Sequence, residues 1–331
     1  MKNRVLISAA ITCVMGGHPD PTVAAPLQKD KLQIEFRTLM RGFDGRVGVC
    51  ARDEAVLACV NGDQRFSLQS VMKLLVGLAV MDAVDHRGWH LDEEIVVRKE
   101  DLSLYVQPIA KLVKDQGYRT TVGDLVRRAI VDSDSAAADI LVARLGGPKE
   151  VQSFLDRRAI SDVRFDRDER HLQTEIVGLE WRSEFVDPAI LEPAIAGVPQ
   201  DLRDASYRQY QTDPRDTATP RGMASLLYAL ADGKLLSPTS TTYLLEIMSQ
   251  TVTFPDRLKA GVSKGWKLGH KTGTSGTWKG VTAATNDVGL LTAPDGRKIS
   301  IVVFVGDSRE APSKRAAIIA SAARLTISHY Q

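Results

Sequence analysis

The stretch AATNDVGLLTAPDGRKISIVVFVGD, residues 283–307, contains two apolar runs joined by a short polar turn. The turn reads APDGR, and Asp-Gly between two apolar runs is a strong signal for a β-hairpin. Just upstream, GWKLGHKTGT at 265–274 has the character of a further strand. The C-terminal part of the chain is therefore predicted to supply an antiparallel sheet.

The other strand signal lies near the N-terminus, where RVGVCARDEAVLACV at 46–60 reads as a second hairpin. Between these two ends, over about 70–247, apolar residues recur mostly at helical spacing. Helices are also predicted at 28–41 and 312–328. We therefore predict an α+β fold, an α/β/α sandwich, in which an antiparallel sheet built from both chain ends is flanked by helices, with an all-helical subdomain inserted between.

This organisation makes the predicted domains discontinuous. Residues 26–69 and 220–331 would form the α/β subdomain, and residues 70–219 the helical subdomain. Within the helical part, residues 163–216 are rich in Asp, Arg and Pro and are too long for a simple connection. We expect this segment to be a long active-site loop with an insertion.

The bulk composition excludes several function classes. The 331 residues are 44% hydrophobic and 25% charged, which is typical of a globular protein rather than of a disordered or fibrous one. The 43 basic and 41 acidic residues leave a net charge of +2, and the basic residues are scattered. This balance predicts no nucleic-acid partner and no electrostatic attraction to an anionic membrane.

The N-terminus has the pattern of a secretory signal peptide. A short basic head precedes an apolar run at 5–15, and small residues around Ala24 offer a cleavage site. The apolar run is too short to span a bilayer as a helix, although a membrane anchor is the alternative interpretation. Residues 1–25 are thus predicted to be removed, leaving a periplasmic or secreted protein with no membrane attachment in its mature form.

Export would leave Cys50 and Cys59 as the two remaining cysteines. An even number of cysteines in an exported protein suggests a disulfide. If Glu54 and Ala55 form the tip of the first hairpin, the two cysteines face each other closely enough to bridge. Two free, buried thiols are the alternative.

Two serine motifs offer candidate chemistry. Ser70 and Lys73 stand three residues apart at the start of a predicted helix, so their hydroxyl and amine share one face. This suits a nucleophile beside its proton acceptor, but also an ordinary helix cap with a solvated lysine. The motif Ser-Asp-Ser at 133–135 precedes another helix, where the same residues would serve as N-caps.

A third motif, Lys-Thr-Gly at 271–273, runs along a strand into a glycine-rich turn, as either a carboxylate site or an edge strand with a protective lysine. In this order, the three motifs resemble the signature set of the penicillin-recognising serine acyl-transferases. The chain resembles class A serine β-lactamases. The segments LQSVMK, HKTGTSGTWKGVTAATNDVG and VVFVGDS are similar to the extended-spectrum branch that includes the PER and VEB types. The resemblance extends from about residue 30 to the C-terminus.

Class A enzymes carry a fourth element, a loop glutamate that activates the deacylating water. RFDRDERHLQ at 164–173 resembles that loop and places the glutamate at Glu169, with Asp166 and Asp168 as neighbouring competitors. Gln173 stands where the family has an asparagine that helps hold the water, and Arg170 replaces a proline. Ser135 also departs from the family, which has asparagine there.

The resemblance implies a mechanism. Ser70 would attack the lactam carbonyl while Lys73 or a water held by Glu169 takes its proton, and Ser133 would protonate the lactam nitrogen. The backbone N–H groups of Ser70 and Thr274 would form the oxyanion hole. Neither a cofactor nor a metal is implied, and the expected form is a monomer acting on small β-lactams. The implied substrate-binding residues are Ser135, Lys271, Thr272, Gly273, Thr274, Ser275, Gln173 and Tyr105.

Two questions stay open at this level. The insertion at 174–216 would either roof the active site or pack elsewhere as a small helical lobe. The function would be that of a β-lactamase, of a D,D-peptidase or penicillin-binding protein, or of a slowly deacylating β-lactam sensor. The deacylation motif around Glu169 favours the β-lactamase.

Overall fold

A computed structural model describes residues 28–330, so the predicted signal peptide at 1–25 lies outside the described residues. The described chain consists of strands and helices joined by turns and several longer loops, some of which contain 3₁₀ helices. The strands are β1 (Arg46–Arg52), β2 (Leu57–Val60), β3 (Phe66–Ser67), β4 (Glu94–Val97), β5 (Tyr118–Thr121), β6 (Thr217–Ala218), β7 (Lys267–Thr274), β8 (Thr277–Trp278), β9 (Val281–Thr292) and β10 (Lys298–Ser308). The helices are α1 (Lys29–Leu39), α2 (Met72–His86), α3 (Val122–Arg127), α4 (Ser135–Leu145), α5 (Pro148–Arg157), α6 (Glu169–Ile176), α7 (Pro188–Ala196), α8 (Gln200–Thr212), α9 (Pro220–Ala231), α10 (Pro238–Ser249) and α11 (Pro312–Ser328).

The central sheet joins both ends of the described chain. Its strand order is β2-β1-β10-β9-β7, with β8 paired to β9, and every pairing is antiparallel. Strands β9 and β10 form the predicted hairpin, and β1 from the N-terminal part lies beside β10. The predicted α+β fold with a sheet built from both ends is confirmed. The inserted part, predicted to be all-helical, also contains the antiparallel pair of β4 and β5.

Alternating side chains of the sheet supply two separate cores. On β10, Ile301 and Val303 pack with the apolar faces of α1 and α11, while Val302 and Phe304 pack with the central helix α2 and its neighbours. This alternation follows from the two-residue period of a strand. Both faces of the sheet are therefore covered by helices.

Cys50 and Cys59 lie opposite each other in the register of β1 and β2. Both side chains are buried, and the two sulfur atoms are bonded in a disulfide. The register corresponds to a hairpin tip at Glu54 and Ala55.

The two ends of the long loop that follows α5 lie together, because residues 166–167 contact Asp216. Arg167 Nε donates to Asp216 Oδ2 at 2.7 Å, and Asp216 Oδ1 accepts the backbone N–H groups of Asp166 and Arg167 at 2.7 and 3.0 Å. Both Arg167 and Asp216 are buried. Because these contacts hold the two ends of the loop together, a long insertion can extend from it without disturbing the strands beside it.

The insertion itself packs in two ways. Phe185 and Leu191 form a small separate core with Leu104, as expected for a helical lobe. Helix α8, in contrast, lies against the β7–β9 end of the sheet, where the Tyr207 hydroxyl donates to the carbonyl oxygens of Gly276 and Val281 at 3.1 and 2.8 Å. Within residues 28–330, no helix has the length and apolarity needed to cross a bilayer.

Candidate active site

Ser70 lies in a 3₁₀ turn, Gln69–Val71, that leads directly into α2. In the described part of the chain no side chain caps either of these two elements, so the Ser70 hydroxyl is not used as a helix cap. Lys73, in the first turn of α2, is fully buried and donates from Nζ to Ser70 Oγ at 2.9 Å. The alternative of a helix cap with a solvated lysine is therefore wrong.

The Lys73 ammonium has four oxygen neighbours. Besides Ser70, it donates to the Ser133 carbonyl oxygen at 2.9 Å and to Ser135 Oγ at 3.1 Å. Its Nζ also lies 3.0 Å from Glu169 Oε1, in an ion pair with both side chains buried. Such a buried charge is tolerated only because its donors are all used.

Glu169 is the first residue of α6 and is 2% exposed. Its Oε1 accepts from Ser70 Oγ at 3.4 Å, and its Oε2 accepts from Gln173 Nε2 at 3.1 Å. Burial opposes ionisation of Glu169, but the charge and hydrogen bond of Lys73, together with Gln173, outweigh it and hold the pKa below its usual value. The carboxylate is therefore ionised at neutral pH.

The two competing acids have other partners. Asp168 caps α6 by accepting the backbone N–H of His171 at 3.0 Å. Asp166 accepts from Arg164 at 2.5 Å and from the backbone N–H of Asp216 at 3.0 Å. Among the three loop acids, only Glu169 contacts Ser70 in the described part of the chain.

Ser133 ends a π-helical turn, Arg128–Asp132, in the left-handed backbone conformation with φ 59°. Irregular turns of this kind are frequent at functional sites. Asp134, the next residue, fixes the turn by accepting the N–H groups of Ala137 and Ile109 at 3.0 and 2.7 Å. The predicted capping role therefore belongs to Asp134 and leaves the Ser133 hydroxyl available.

Lys271 contacts that hydroxyl. Its Nζ donates to Ser133 Oγ and to the Thr272 carbonyl oxygen, both at 2.9 Å. Burial, reinforced by the positive charge of Lys73, brings the pKa of Lys271 well below its ordinary value. The amine therefore releases a proton more readily than an exposed lysine.

Strand β7 packs directly on the turn that carries Ser70. A Cβ atom on Gly273 would lie 2.5 Å from the Leu68 carbonyl oxygen, so only glycine permits this approach. Thr274, the next residue, ends β7 and accepts a hydrogen bond on Oγ1 from Arg257 Nη2 at 2.6 Å. The Ser275 hydroxyl is used internally and donates to the Gly276 carbonyl oxygen at 2.9 Å.

A cleft of about 350 Å³ connects these groups. Seven predicted site residues line it, and five others are buried beside it. The lining set is Ser70, Tyr105, Ser135, Glu169, Gln173, Thr274 and Ser275, and the buried set is Lys73, Ser133, Lys271, Thr272 and Gly273. Within residues 28–330, no group of three or more His, Cys, Asp or Glu side chains is arranged to hold a metal ion.

Comparison with known proteins identifies the family to which the chain belongs. Residues 31–330 match the family model described as the β-lactamase enzyme family. The chain belongs to this family. It is 29% identical to β-lactamase VEB-1 of Pseudomonas aeruginosa over 92% of this chain and 91% of that protein. It is also 29% identical to the extended-spectrum β-lactamase PER-1 of Pseudomonas aeruginosa, over 97% of this chain and 94% of that protein.

The fold agrees with the sequence comparisons. The crystal structure of a class A β-lactamase from Bacteroides cellulosilyticus superposes with a TM-score of 0.75 at 27% identity, covering 92% of this chain and 99% of that one. The predicted resemblance to class A enzymes of the PER and VEB type is confirmed. The predicted enzyme class, a β-lactam hydrolase, is confirmed with it.

Within this β-lactamase fold, sequence reasoning missed three residues that shape the site. Arg257 is buried behind Thr274, and burial lowers its pKa to about 10. Arg203 of the insertion lines the cleft. Tyr210 of the same helix accepts from Gln69, which in turn accepts from Gln173 at 3.0 Å. Arg203 and Tyr210 lie in a part of the sequence that matches none of the motifs. No sequence pattern around Arg257 indicates its role.

A fourth missed residue, Asp139, does leave a signal, because it is an acid in the otherwise apolar start of α4, SAAADIL. It is buried and accepts the backbone N–H groups of Glu169 and Arg170 at 2.8 and 3.2 Å, and the Ser103 hydroxyl at 2.6 Å. Burial raises the pKa of Asp139 to about 8, with the charges of Asp168 and Glu169 acting in the same direction. Asp139 therefore anchors the start of α6, and with it Glu169.

Replacing Asp139 by asparagine is expected to change how stability depends on pH. In the unfolded chain the carboxyl group titrates near 4, roughly its ordinary pKa, whereas in the folded protein it titrates near 8. Between these values the folded state binds the extra proton, so native stability falls as pH rises. Asparagine does not titrate, so the variant should gain in melting temperature relative to the native protein from pH 5 to pH 9. This gain is added to a pH-independent loss, because the amide nitrogen cannot accept the hydrogen bonds that one Asp139 oxygen accepts.

Thermal unfolding at pH 5, 7 and 9 measures this difference. Asp92→Asn, at an exposed position, is the control and should give a constant offset. A difference in melting temperature for Asp139→Asn that does not vary with pH would show that Asp139 is already ionised in the folded protein at pH 5.

Proposed function

We propose that this chain hydrolyses β-lactam antibiotics through an acyl-enzyme on Ser70, which a water activated by Glu169 then releases. One observation carries the proposal. Ser70 Oγ lies 2.9 Å from Lys73 Nζ and 3.4 Å from Glu169 Oε1, in a buried pair that closes one side of a substrate-sized cleft. A nucleophile, its proton acceptor and a deacylating base are thereby in contact.

Acylation begins at the Ser70 hydroxyl. The hydroxyl proton passes to the pair formed by Lys73 and Glu169, which contact Ser70 Oγ at 2.9 and 3.4 Å. Lys73 then returns a proton by way of Ser133 and Lys271, so Glu169 is a carboxylate again when deacylation begins. As Ser70 attacks the lactam carbonyl, negative charge develops on the carbonyl oxygen. We assign its stabilisation to the backbone N–H groups of Ser70 and Thr274, an assignment supported by the close packing of β7 on the Ser70 turn.

Ring opening requires a proton on the lactam nitrogen. Ser133 Oγ, which accepts from Lys271 Nζ at 2.9 Å, is the proposed donor, and Lys271 replaces the proton that Ser133 gives up. The lowered pKa of Lys271 supports this transfer, because the amine releases a proton more easily. The covalent link to Ser70 Oγ then remains as an ester.

Deacylation is assigned to Glu169. Once Ser70 is esterified, its oxygen no longer donates to the carboxylate, and Glu169 can accept a proton from water. Gln173, 3.1 Å from Glu169 Oε2, holds the carboxylate from its other side. Attack of that water on the ester returns free Ser70.

We assign binding of the carboxylate on the ring of the β-lactam to four residues of one region: Lys271, Thr272, Thr274 and Ser275. Arg257 adds positive charge there, because its guanidinium donates to Thr274 Oγ1 from behind the strand. Gly273 brings this strand close enough to Ser70 for one small substrate to reach both groups. Ser135 and Tyr105 border the remaining part of the cleft.

The wider assignments follow the same proposal. Residues 26–69 and 220–331 form the α/β subdomain, and residues 70–219 the helical one. The protein is exported after cleavage of residues 1–25, acts as a monomer on small β-lactams, and needs neither a cofactor nor a metal. The disulfide between Cys50 and Cys59 supports export, since such bonds persist mainly in oxidising compartments.

The decisive experiment compares benzylpenicillin and a cephalosporin with an acylated D-Ala-D-Ala peptide. We expect continuous hydrolysis of the lactams and no release of D-alanine from the peptide. Release of D-alanine together with a lasting penicillin adduct would identify a D,D-peptidase instead. A lasting adduct without peptide cleavage would identify a β-lactam sensor.

A further inference from the structure

Helix α8 of the insertion places one cation in the cleft. Arg203 is half-buried and lines the cleft together with Ile176, Val177 and Gly276. Among the cleft-lining residues that the structure describes, Arg203 is the only basic one. Its charge also acts on the Tyr105 hydroxyl across the mouth of the cleft, where it opposes the increase in the pKa of Tyr105 that burial causes.

This guanidinium is held in place without being neutralised. Its Cζ lies 4.1 Å from the centroid of the Trp278 ring, in a cation–π contact that leaves the N–H donors free. The acid nearest in sequence, Asp204, accepts from Trp278 Nε1 at 2.7 Å and from Lys279 Nζ at 2.5 Å. Within residues 28–330, the Arg203 side chain makes no hydrogen bond and no ion pair.

An unpaired cation beside a substrate cleft favours an anionic group on the substrate. The ring carboxylate is already assigned to Lys271, Thr272 and Thr274. Arg203 lines the same cleft as Ile176 and Val177, which follow Glu169 in the active-site loop. The acylamino side chain is attached at the opposite end of the bicyclic lactam from the ring carboxylate, so it is the part of the substrate that remains available to Arg203.

We propose that Arg203 is a specificity-determining residue that binds a carboxylate on the acylamino side chain of the β-lactam. This inference rests on the proposed β-lactam hydrolysis. It also gives the insertion a role, since α8 carries Arg203 to the cleft and Tyr207 and Tyr210 fix that helix against the sheet and the Ser70 turn. The competing explanation is that Arg203 only packs α8 onto β8.

Benzylpenicillin and its α-carboxy derivative carbenicillin form a matched pair of probes, because both carry the ring carboxylate and only one carries a second anion. Each is measured as a competitor of a chromogenic cephalosporin, using native protein, Arg203→Gln and Arg203→Lys. Arg208→Gln is the control, since Arg208 lies on the same helix and is exposed outside this cleft.

For Arg203→Gln we expect the competition constant for carbenicillin to rise about fivefold, as for one partly exposed ion pair. The constant for benzylpenicillin and the kcat for both penicillins should change less than about twofold, within the effect of losing a surface charge. Arg203→Lys should keep most of the carbenicillin binding that Arg203→Gln loses. Added salt should reduce the preference of the native protein for carbenicillin. Arg208→Gln should match the native protein.

Equal changes for the two penicillins, or no change for either, would overturn the specificity role and support packing alone. Thermal unfolding of Arg203→Gln provides the matching readout, because a packing role lowers the melting temperature and affects both penicillins alike. Failure of the native protein to hydrolyse the chromogenic cephalosporin would instead contradict the proposed function, and this inference with it.

Discussion

Glu169→Gln is expected to lower kcat for penicillins by about 10³-fold, within the usual contribution of a general base. The glutamine side chain keeps the volume of Glu169 and can still accept a hydrogen bond, but it cannot take a proton from water. Deacylation should therefore become rate-limiting. Steady-state hydrolysis of benzylpenicillin measures the change.

Asp168→Asn is the matched control for this variant. Asp168 neighbours Glu169 but caps α6 through the His171 N–H, and asparagine caps helices as well as aspartate does. The control should keep kcat within about threefold of native, since the cap of α6 is kept and Asp168 does not contact Ser70. A large loss in Asp168→Asn and a small one in Glu169→Gln would reverse the assignment of the two acids.

Lys73→Met is expected to lower the rate of acylation by about 10³-fold or more, because it removes a group that contacts the nucleophile. It also leaves the Glu169 carboxylate buried without its ion-pair partner, 3.0 Å away in the native protein. The pKa of Glu169 should rise, since the Lys73 charge is what holds it down against burial. Loss of this buried pair should also destabilise the fold by about 3 kcal/mol at neutral pH.

Stopped-flow acylation and thermal unfolding across pH measure these two effects. The stability loss should shrink at acidic pH, where Glu169 of the variant can be protonated and neutral. Lys99→Met is the control, because Lys99 is exposed and pairs with the exposed Asp115. An acylation rate in Lys73→Met equal to that of the native protein would contradict the role proposed for Lys73.

The elements that sequence predicts well are those defined by local patterns. The β9–β10 hairpin was predicted because Asp-Gly marks its turn and long apolar runs flank it. Helix α11 has the predicted bounds, 312–328, because proline starts it and its apolar spacing is regular. The four site motifs were found because each chemical role requires a fixed residue type at a fixed spacing.

Elements that depend on distant contacts could not be predicted. Strand β3 has two residues and pairs with β6, about 150 residues away in sequence, and strands this short carry no readable period. Arg257 reaches Thr274 only through the folded loop before β7, and Arg203 reaches the cleft only through the packing of α8. The sequence allowed the insertion either to roof the active site or to pack elsewhere as a lobe. The structure shows that one part forms a lobe while α8 borders the cleft.

The central claim is that Ser70 is acylated and that Glu169 releases the acyl group. Intact-protein mass after mixing with benzylpenicillin tests it most directly, for the native chain and for Glu169→Gln, followed by peptide mapping of any adduct. We predict that the native mass returns rapidly to its unmodified value, while the variant keeps one added penicillin on the peptide that contains Ser70. An adduct that persists equally in both proteins, or one attached elsewhere than Ser70, would contradict the account.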